Sequence, residues 1–152
     1  MSQRVLRNRR WFNGSRRETA ADGTLAAGDL GELTANGIQS HPTDGAAMDN
    51  VLVIEDARGR GKVAGDNYDT EETVPYLNCN AGDLVTLRLA DGESVTGPDG
   101  GDPTQLVSNG DGTVRAFDGA GGDTEEDVVA VADETLNNTS GSPSLLDAEV
   151  TR

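Results

Sequence analysis

Residues 82–117, GDLVTLRLADGESVTGPDGGDPTQLVSNGDGTVRAF, decide how this chain is read. From Asp83 to Leu89 the apolar residues fall at 85, 87 and 89, with Thr86 and Arg88 between them. A period of two belongs to a strand with one buried face. Asp91-Gly92 and Pro98-Asp99-Gly100-Gly101 then supply turn chemistry, because glycine takes positive φ without steric cost and proline presets a bend. Residues 104–107 form a second short strand. Asn109-Gly110-Asp111-Gly112 is a tight-turn signal. Residues 113–117 leave it as a third strand, with Val114 and Ala116 on one face and Thr113, Arg115 and Phe117 on the other. The stretch predicts a compact antiparallel β unit.

Further strands are expected on both sides of this unit. Val51-Leu52-Val53-Ile54 is apolar throughout and bounded by polar residues, the pattern of a buried strand. Residues 73–77 read as a strand at an edge or bulge, because Pro75 has no N–H for a ladder. Residues 127–132 and 145–150 complete the set. Ala27-Gly28-Asp29-Leu30 recurs as Ala81-Gly82-Asp83-Leu84, each ahead of a strand-like segment, which suggests two equivalent turns leading into strands of one β fold. The expectation is a mainly β protein, a small antiparallel barrel or sandwich over residues 25–152, with an extended basic N-terminal arm over residues 1–24.

Charge separates the two parts. The chain has 152 residues and a formal net charge of −15, from 27 Asp and Glu against 12 Lys and Arg. Residues 1–17 hold six arginines (Arg4, Arg7, Arg9, Arg10, Arg16 and Arg17) and no acid, so the remainder carries 27 acids against six bases, a net −21. Trp11 and Phe12 stand among the arginines. The arm reads as a solvated tail or as a segment that docks on an acidic protein surface, the aromatics anchoring and the arginines at the rim. Nucleic acid is the weakest partner, because the acidic body repels it. Arg58 and Arg60, with Lys62, make a second basic cluster on a glycine-rich loop. Its spacing lacks the phosphate-loop pattern, so it reads as intersubunit salt-bridge loop or plain surface.

Lys62 is the only lysine. Strong acidity with almost no lysine suits a protein working in molar salt, where the Debye length is about 3 Å and carboxylate repulsion is screened. Apolar residues make up 34% of the chain and only five residues are aromatic, a thin core that favours help from an assembly. One cysteine, Cys79, leaves no intramolecular disulfide or multi-cysteine zinc site and reads as a small buried residue. One histidine, His41 before Pro42, reads as a surface residue and not as a catalytic base. The acidic segment 118–127 carries several carboxylates among glycines, but its spacing is not that of an EF-hand, so neither metal nor cofactor is expected. No apolar run approaches the length of a membrane span, and no signal-peptide core follows the basic start, so no membrane association or secretion is expected. Asn13, Asn137 and Asn138 each begin a glycosylation sequon, relevant only if the chain meets that machinery.

The phrase LADGESVTGPDGGDPTQLVSNGDGTVRAF, followed by DVVAVA at 127–132 and Ser140-Gly141-Ser142, resembles a pattern in capsid decoration (cement) proteins of head-tailed viruses. The resemblance reaches back to about residue 51 and leaves the first 40 residues outside. The chain departs from the pattern around Pro98–Pro103 and in the acidic insert at 119–126. The resemblance implies a non-catalytic protein on the outer surface of an icosahedral shell, with the major capsid protein as partner and a homo-oligomer, a trimer, as its form. Together with the composition it points to a virus of a halophilic archaeon. The contacts expected are Arg4, Arg7, Arg9, Arg10, Trp11, Phe12, Arg16 and Arg17, with Arg58 and Arg60. A turret or spike component that recognises the host is the alternative. The turn-and-strand rhythm is also similar to biotinyl and lipoyl carriers, but those need an acceptor lysine at a hairpin tip, and residues 91–112 contain none.

Overall fold

The computed structural model describes residues 13–55 and 67–152. The strands among the described residues are β1 (Ser15–Ala20), β2 (Leu30–Thr34), β3 (Gly37–Ser40), β4 (Val51–Ile54), β5 (Thr73–Cys79), β6 (Leu84–Leu89), β7 (Ser94–Val95), β8 (Gln105–Ser108), β9 (Val114–Ala116), β10 (Ala130–Ala132), β11 (Leu136–Asn137) and β12 (Ser144–Val150). Two short 3-10 turns, Pro98–Gly100 and Glu125–Asp127, interrupt them. The fold is mainly β, as the alternation predicts. β1-β5-β4-β2-β3 form one sheet, β10-β12-β6-β9-β8 close into a barrel, and β7 and β11 pair separately.

The barrel is narrow, so large and small side chains must alternate inside it. Val85, Leu87 and Leu89 of β6 point inward, as their period of two requires, and all are fully buried. Across from them Leu146 pairs with Leu87 and Ala148 with Val85. Ala132 pairs with Ala148, and Ala130 lies between Val150 and Leu106. The alanines leave room for the leucines. β8 and β9 form the antiparallel hairpin expected around the Asn109–Gly112 turn. The unit is nevertheless not wholly antiparallel. β6 runs parallel to β9, meeting it at Leu89 and Val114, and this contact shuts the barrel.

The five-stranded sheet buries both faces. Val51, Val53, Leu77 and Cys79 join the barrel core, while Leu52, Ile54, Val74 and Tyr76 join Ala21, Leu25, Ile38 and Tyr68 in a second core. That double burial is why β4 is apolar throughout and does not alternate. Its two outer strands also meet, for Ala21 bridges Ile38 and the Asp22 N–H donates to the Ile38 carbonyl at 2.7 Å. The sheet is thus curled around the second core.

Three expectations are corrected. β5 is not an edge, since it lies between β1 and β4. Pro75 is tolerated there because it sits just past the last β4 pair, Ile54 with Tyr76, and its carbonyl accepts the Glu55 N–H at 3.0 Å. The Glu55 carbonyl, which faces a proline without a donor, accepts the Tyr68 hydroxyl at 3.1 Å instead. The 1–24 arm is too long, because residues 15–20 pair with β5 from Ser15–Asn78 to Ala20–Thr73. Its residues 1–12 lie outside the described residues. His41 is not on the surface. It is 6% exposed, with Nδ1 2.7 Å from the Ser108 hydroxyl. Cys79 is buried as expected, and burial pushes its thiol up to about 12.

Candidate docking surface at the arm root

The repeated Ala-Gly-Asp-Leu phrase folds the same way twice. In each copy the aspartate N–H donates back three residues, Asp29 to the Ala26 carbonyl and Asp83 to the Asn80 carbonyl, both at 3.1 Å. Each carboxylate then returns the bond, accepting from the Ala26 N–H at 2.9 Å and from the Asn80 N–H at 2.8 Å. The third residue of each turn is a glycine at positive φ, +87° at Gly28 and +92° at Gly82, where a Cβ would strain the backbone. The leucine that follows opens β2 in one copy and β6 in the other. Both aspartates are buried.

The two carboxylates have different second partners, and these organise the molecule. Asp83 accepts from the N–H groups of Asn13 at 2.6 Å and Gly14 at 3.2 Å, while the Asn80 side-chain amide donates to the Asn13 carbonyl at 2.9 Å. Gly14 lies against β5 so closely that a Cβ would stand 2.0 Å from the Asn78 carbonyl oxygen. The basic segment therefore leaves the body from a root clamped to the barrel end. Asp29 accepts from Arg88 Nη1 at 2.7 Å and from Ser40 Oγ at 3.4 Å, joining the curled sheet to β6. Burial pushes its carboxyl above the usual range, against the pull of the Ala26 N–H and of Arg88.

The seam between sheet and barrel is polar elsewhere too. Arg115 donates from Nε to Asp44 at 2.8 Å and through both terminal nitrogens to Asp123 at 2.7 and 2.8 Å. These bonds hold Asp123 below the usual carboxylate range and pin the acidic insert to β9. Asp111 accepts from the N–H and hydroxyl of Thr113, rigidifying the turn whose Gly112 carbonyl receives the Leu30 N–H. His41 and Ser108 have the spacing of a nucleophile and its base, but Ser108 is fully buried, and no substrate reaches it. The pair serves as a buried tie. Asn138 is sealed likewise, donating to the carbonyls of Leu89, Ala90 and Ser142, and so is closed to glycosylation in the folded chain.

Of the residues expected to make contacts, Arg16 and Arg17 lie on β1, at the sheet edge. Arg16 is engaged within the molecule, Nε 2.5 Å from Glu55 and Nη1 3.3 Å from Glu18, and Glu55 raises its pKa. Arg17 is exposed and, among the described residues, reaches Ser15 at 3.4 Å. Arg4, Arg7, Arg9, Arg10, Trp11, Phe12, Arg58 and Arg60 lie outside the described residues. The buried Asp83 and Asp29, which place the arm root and the seam, were not singled out from sequence. The repeated phrase around them was the signal that marked them.

Comparison with known proteins gives a structural likeness only. No family model matches the chain, and no curated protein matches it. Among solved structures, it is similar to the crystal structure of the head fiber gp8.5 N base of bacteriophage phi29, with a TM-score of 0.55 and 15% identity, over 91% of this chain and 94% of that one. At that identity the two share a fold.

Proposed function

We propose that this chain is a structural protein of a virion, seated on the outside of an icosahedral capsid shell that it stabilises, with no chemistry of its own. The observation that carries the reading is the likeness, along nearly the whole of both chains, to the base of a viral head fibre. The decoration-protein phrase at 89–117 supports it as well; that segment supplies β8 and β9 of the barrel and β7 beside it. The body rests on the major capsid protein, and the basic arm reaches an acidic protein surface of the assembly. The acidic composition supports a halophilic archaeal host, the thin core supports an oligomer, and the resemblance to decoration proteins supports a trimer on the shell. A second reading, the base of a spike or fibre, is favoured by the neighbour's being the N base of a head fiber.

The test is reattachment. Tagged full-length chain, a variant lacking residues 1–12 that leaves β1 whole, and Trp11→Ala are mixed with stripped particles in molar salt, and occupancy is measured after sedimentation. Molar salt weakens long-range attraction but barely touches desolvated aromatic contacts, so Trp11→Ala is expected to cause most of the loss. Full occupancy by the truncated chain refutes the role of the arm. Electron cryo-microscopy then separates the two readings by position and copy number.

A further inference from the structure

Among the described residues, Leu33 is the large apolar side chain left exposed, at 54%. It is not isolated. With Gly31, Met48 and Leu52 it lines a groove of about 240 Å³ beside the 42–50 loop. Glu32 and Asp49 stand on the rim, both exposed. A cavity of about 150 Å³ takes a benzene ring, so this volume admits an indole with room to spare. Its lining is mixed, the apolar Leu33, Met48 and Leu52 standing beside Glu32, His41, Asp49 and Asn50.

The chain carries the complementary segment. Residues 1–12 contain Trp11 and Phe12 beside Arg7, Arg9 and Arg10, and this is the molecule's only concentration of positive charge next to large aromatics. The same chain's arm is badly placed to use its own groove. Ser15 pairs with Asn78, Asn78 with Leu52, and Leu52 with Gly31, so the groove lies two to three inter-strand steps from the root, about 10–14 Å. Trp11 is two residues from the clamp at Asn13, a backbone reach of at most about 7 Å. The clamp also holds the root on the barrel end, at Asp83, and so away from β2.

The geometry points to the groove at Gly31, Leu33, Met48 and Leu52 as the receptor for the Trp11–Phe12 segment of a second copy of this chain, with its arginines on Glu32 and Asp49. The inference rests on the reading of the arm as a docking segment and names its partner. Each copy offers one arm and one groove at different places, so the exchange closes either reciprocally in a twofold dimer or head-to-tail in a ring, of which a trimer is one. Arginine suits the rim because its guanidinium pairs bidentately with carboxylates.

Trp11 is the chain's only tryptophan, so its fluorescence reports this contact in the full-length protein, without particles. Emission, acrylamide quenching and sedimentation are followed over a dilution series in molar KCl. The expected result is a blue-shifted, quencher-protected Trp11 in an oligomer, moving to a solvent-exposed signal as dilution gives monomer. Leu33→Asp is expected to give monomer with exposed Trp11 at all concentrations while its circular dichroism stays that of a β protein. If that variant fails to fold, the rim double variant Glu32→Lys, Asp49→Lys replaces it, and is expected to weaken association at least several-fold. Trp11 exposed at every concentration overturns the proposal. So does a protected Trp11 in a persistent monomer, which means the chain's own arm fills the groove, and so does an oligomer that neither variant weakens. Because no capsid is present, these outcomes are independent of whether the protein decorates a shell.

Discussion

Replacing Asp83 by alanine tests the claim that one buried carboxylate sets both the start of β6 and the root of the arm. Asp83 is fully buried and accepts three backbone N–H groups, from Asn13, Gly14 and Asn80, at 2.6, 3.2 and 2.8 Å. A hydrogen bond to a charged group contributes roughly 1.5–3 kcal/mol. Two of the three donors lie at the chain edge and regain water when released. The substitution also relieves the cost of burying a carboxylate. The net loss is therefore well below the sum of three such bonds, about 3 kcal/mol. For a chain of this length that lowers Tm by roughly 6–12 °C. The loss is local as well as global. Amide exchange at Gly14, Asn80 and the first residues of β1 is expected to rise far more than exchange in β8 or β10, which the clamp does not touch. Thermal unfolding in molar KCl and exchange measured by mass spectrometry read the two effects. If Tm moves by less than about 1 °C and exchange at Gly14 and Asn80 is unchanged, the clamp is incidental and the reasoning fails.

Three further outcomes are expected. Lowering ionic strength from molar to 0.1 M lengthens the screening distance from about 3 to about 10 Å, so self-repulsion among the surface carboxylates lowers Tm; an equal Tm in dilute buffer and molar salt refutes the halophilic reading. Burial lowers the pKa of His41 below its usual 6.5, outweighing Glu32, which pulls the other way. The unfolded chain thus binds the proton first, and the His41 contribution is complete above pH 6.5 and lost as pH falls towards the folded value. Tm measured between pH 7 and 5 is expected to decline, and His41→Gln to flatten that decline; identical profiles refute it. Leu106, fully buried in the barrel between β9 and β10, leaves a cavity when cut to alanine, and a loss of about 2–5 kcal/mol is expected in denaturant unfolding.

Much of the β content was legible because its causes are local. Val85, Leu87 and Leu89 declare a buried face by spacing alone, and Asn109–Gly112 declares a turn by backbone preference. Asn36, in the turn Ala35-Asn36 between β2 and β3, and Gly37 at the start of β3 mark a further hairpin, one absent from the expectations. The matched Ala-Gly-Asp-Leu phrases pointed to equivalent turns, and the shared hydrogen bonds bear this out.

Amino-acid order alone determined where many of the strands and turns fall, that the body is acidic, and that the basic charge gathers at one end. These follow from side-chain period, backbone preference and composition, which act within a few residues. Only the tertiary structure decided the rest. The parallel meeting of Leu89 with Val114 closes the barrel, yet those residues are 25 apart and nothing in either strand encodes its neighbour. Pro75 was placed at an edge or a bulge on local grounds, whereas β5 is interior because the missing donor falls beyond the end of β4, where the Tyr68 hydroxyl serves the open carbonyl. His41 was placed outside because it precedes a proline, and Ser108, 67 residues away, draws it in. The groove beside Leu33 likewise exists only once β2, β4 and the 42–50 loop come together. In each case the deciding contact joins residues distant in sequence, and a local pattern cannot carry the geometry of a partner it does not contain.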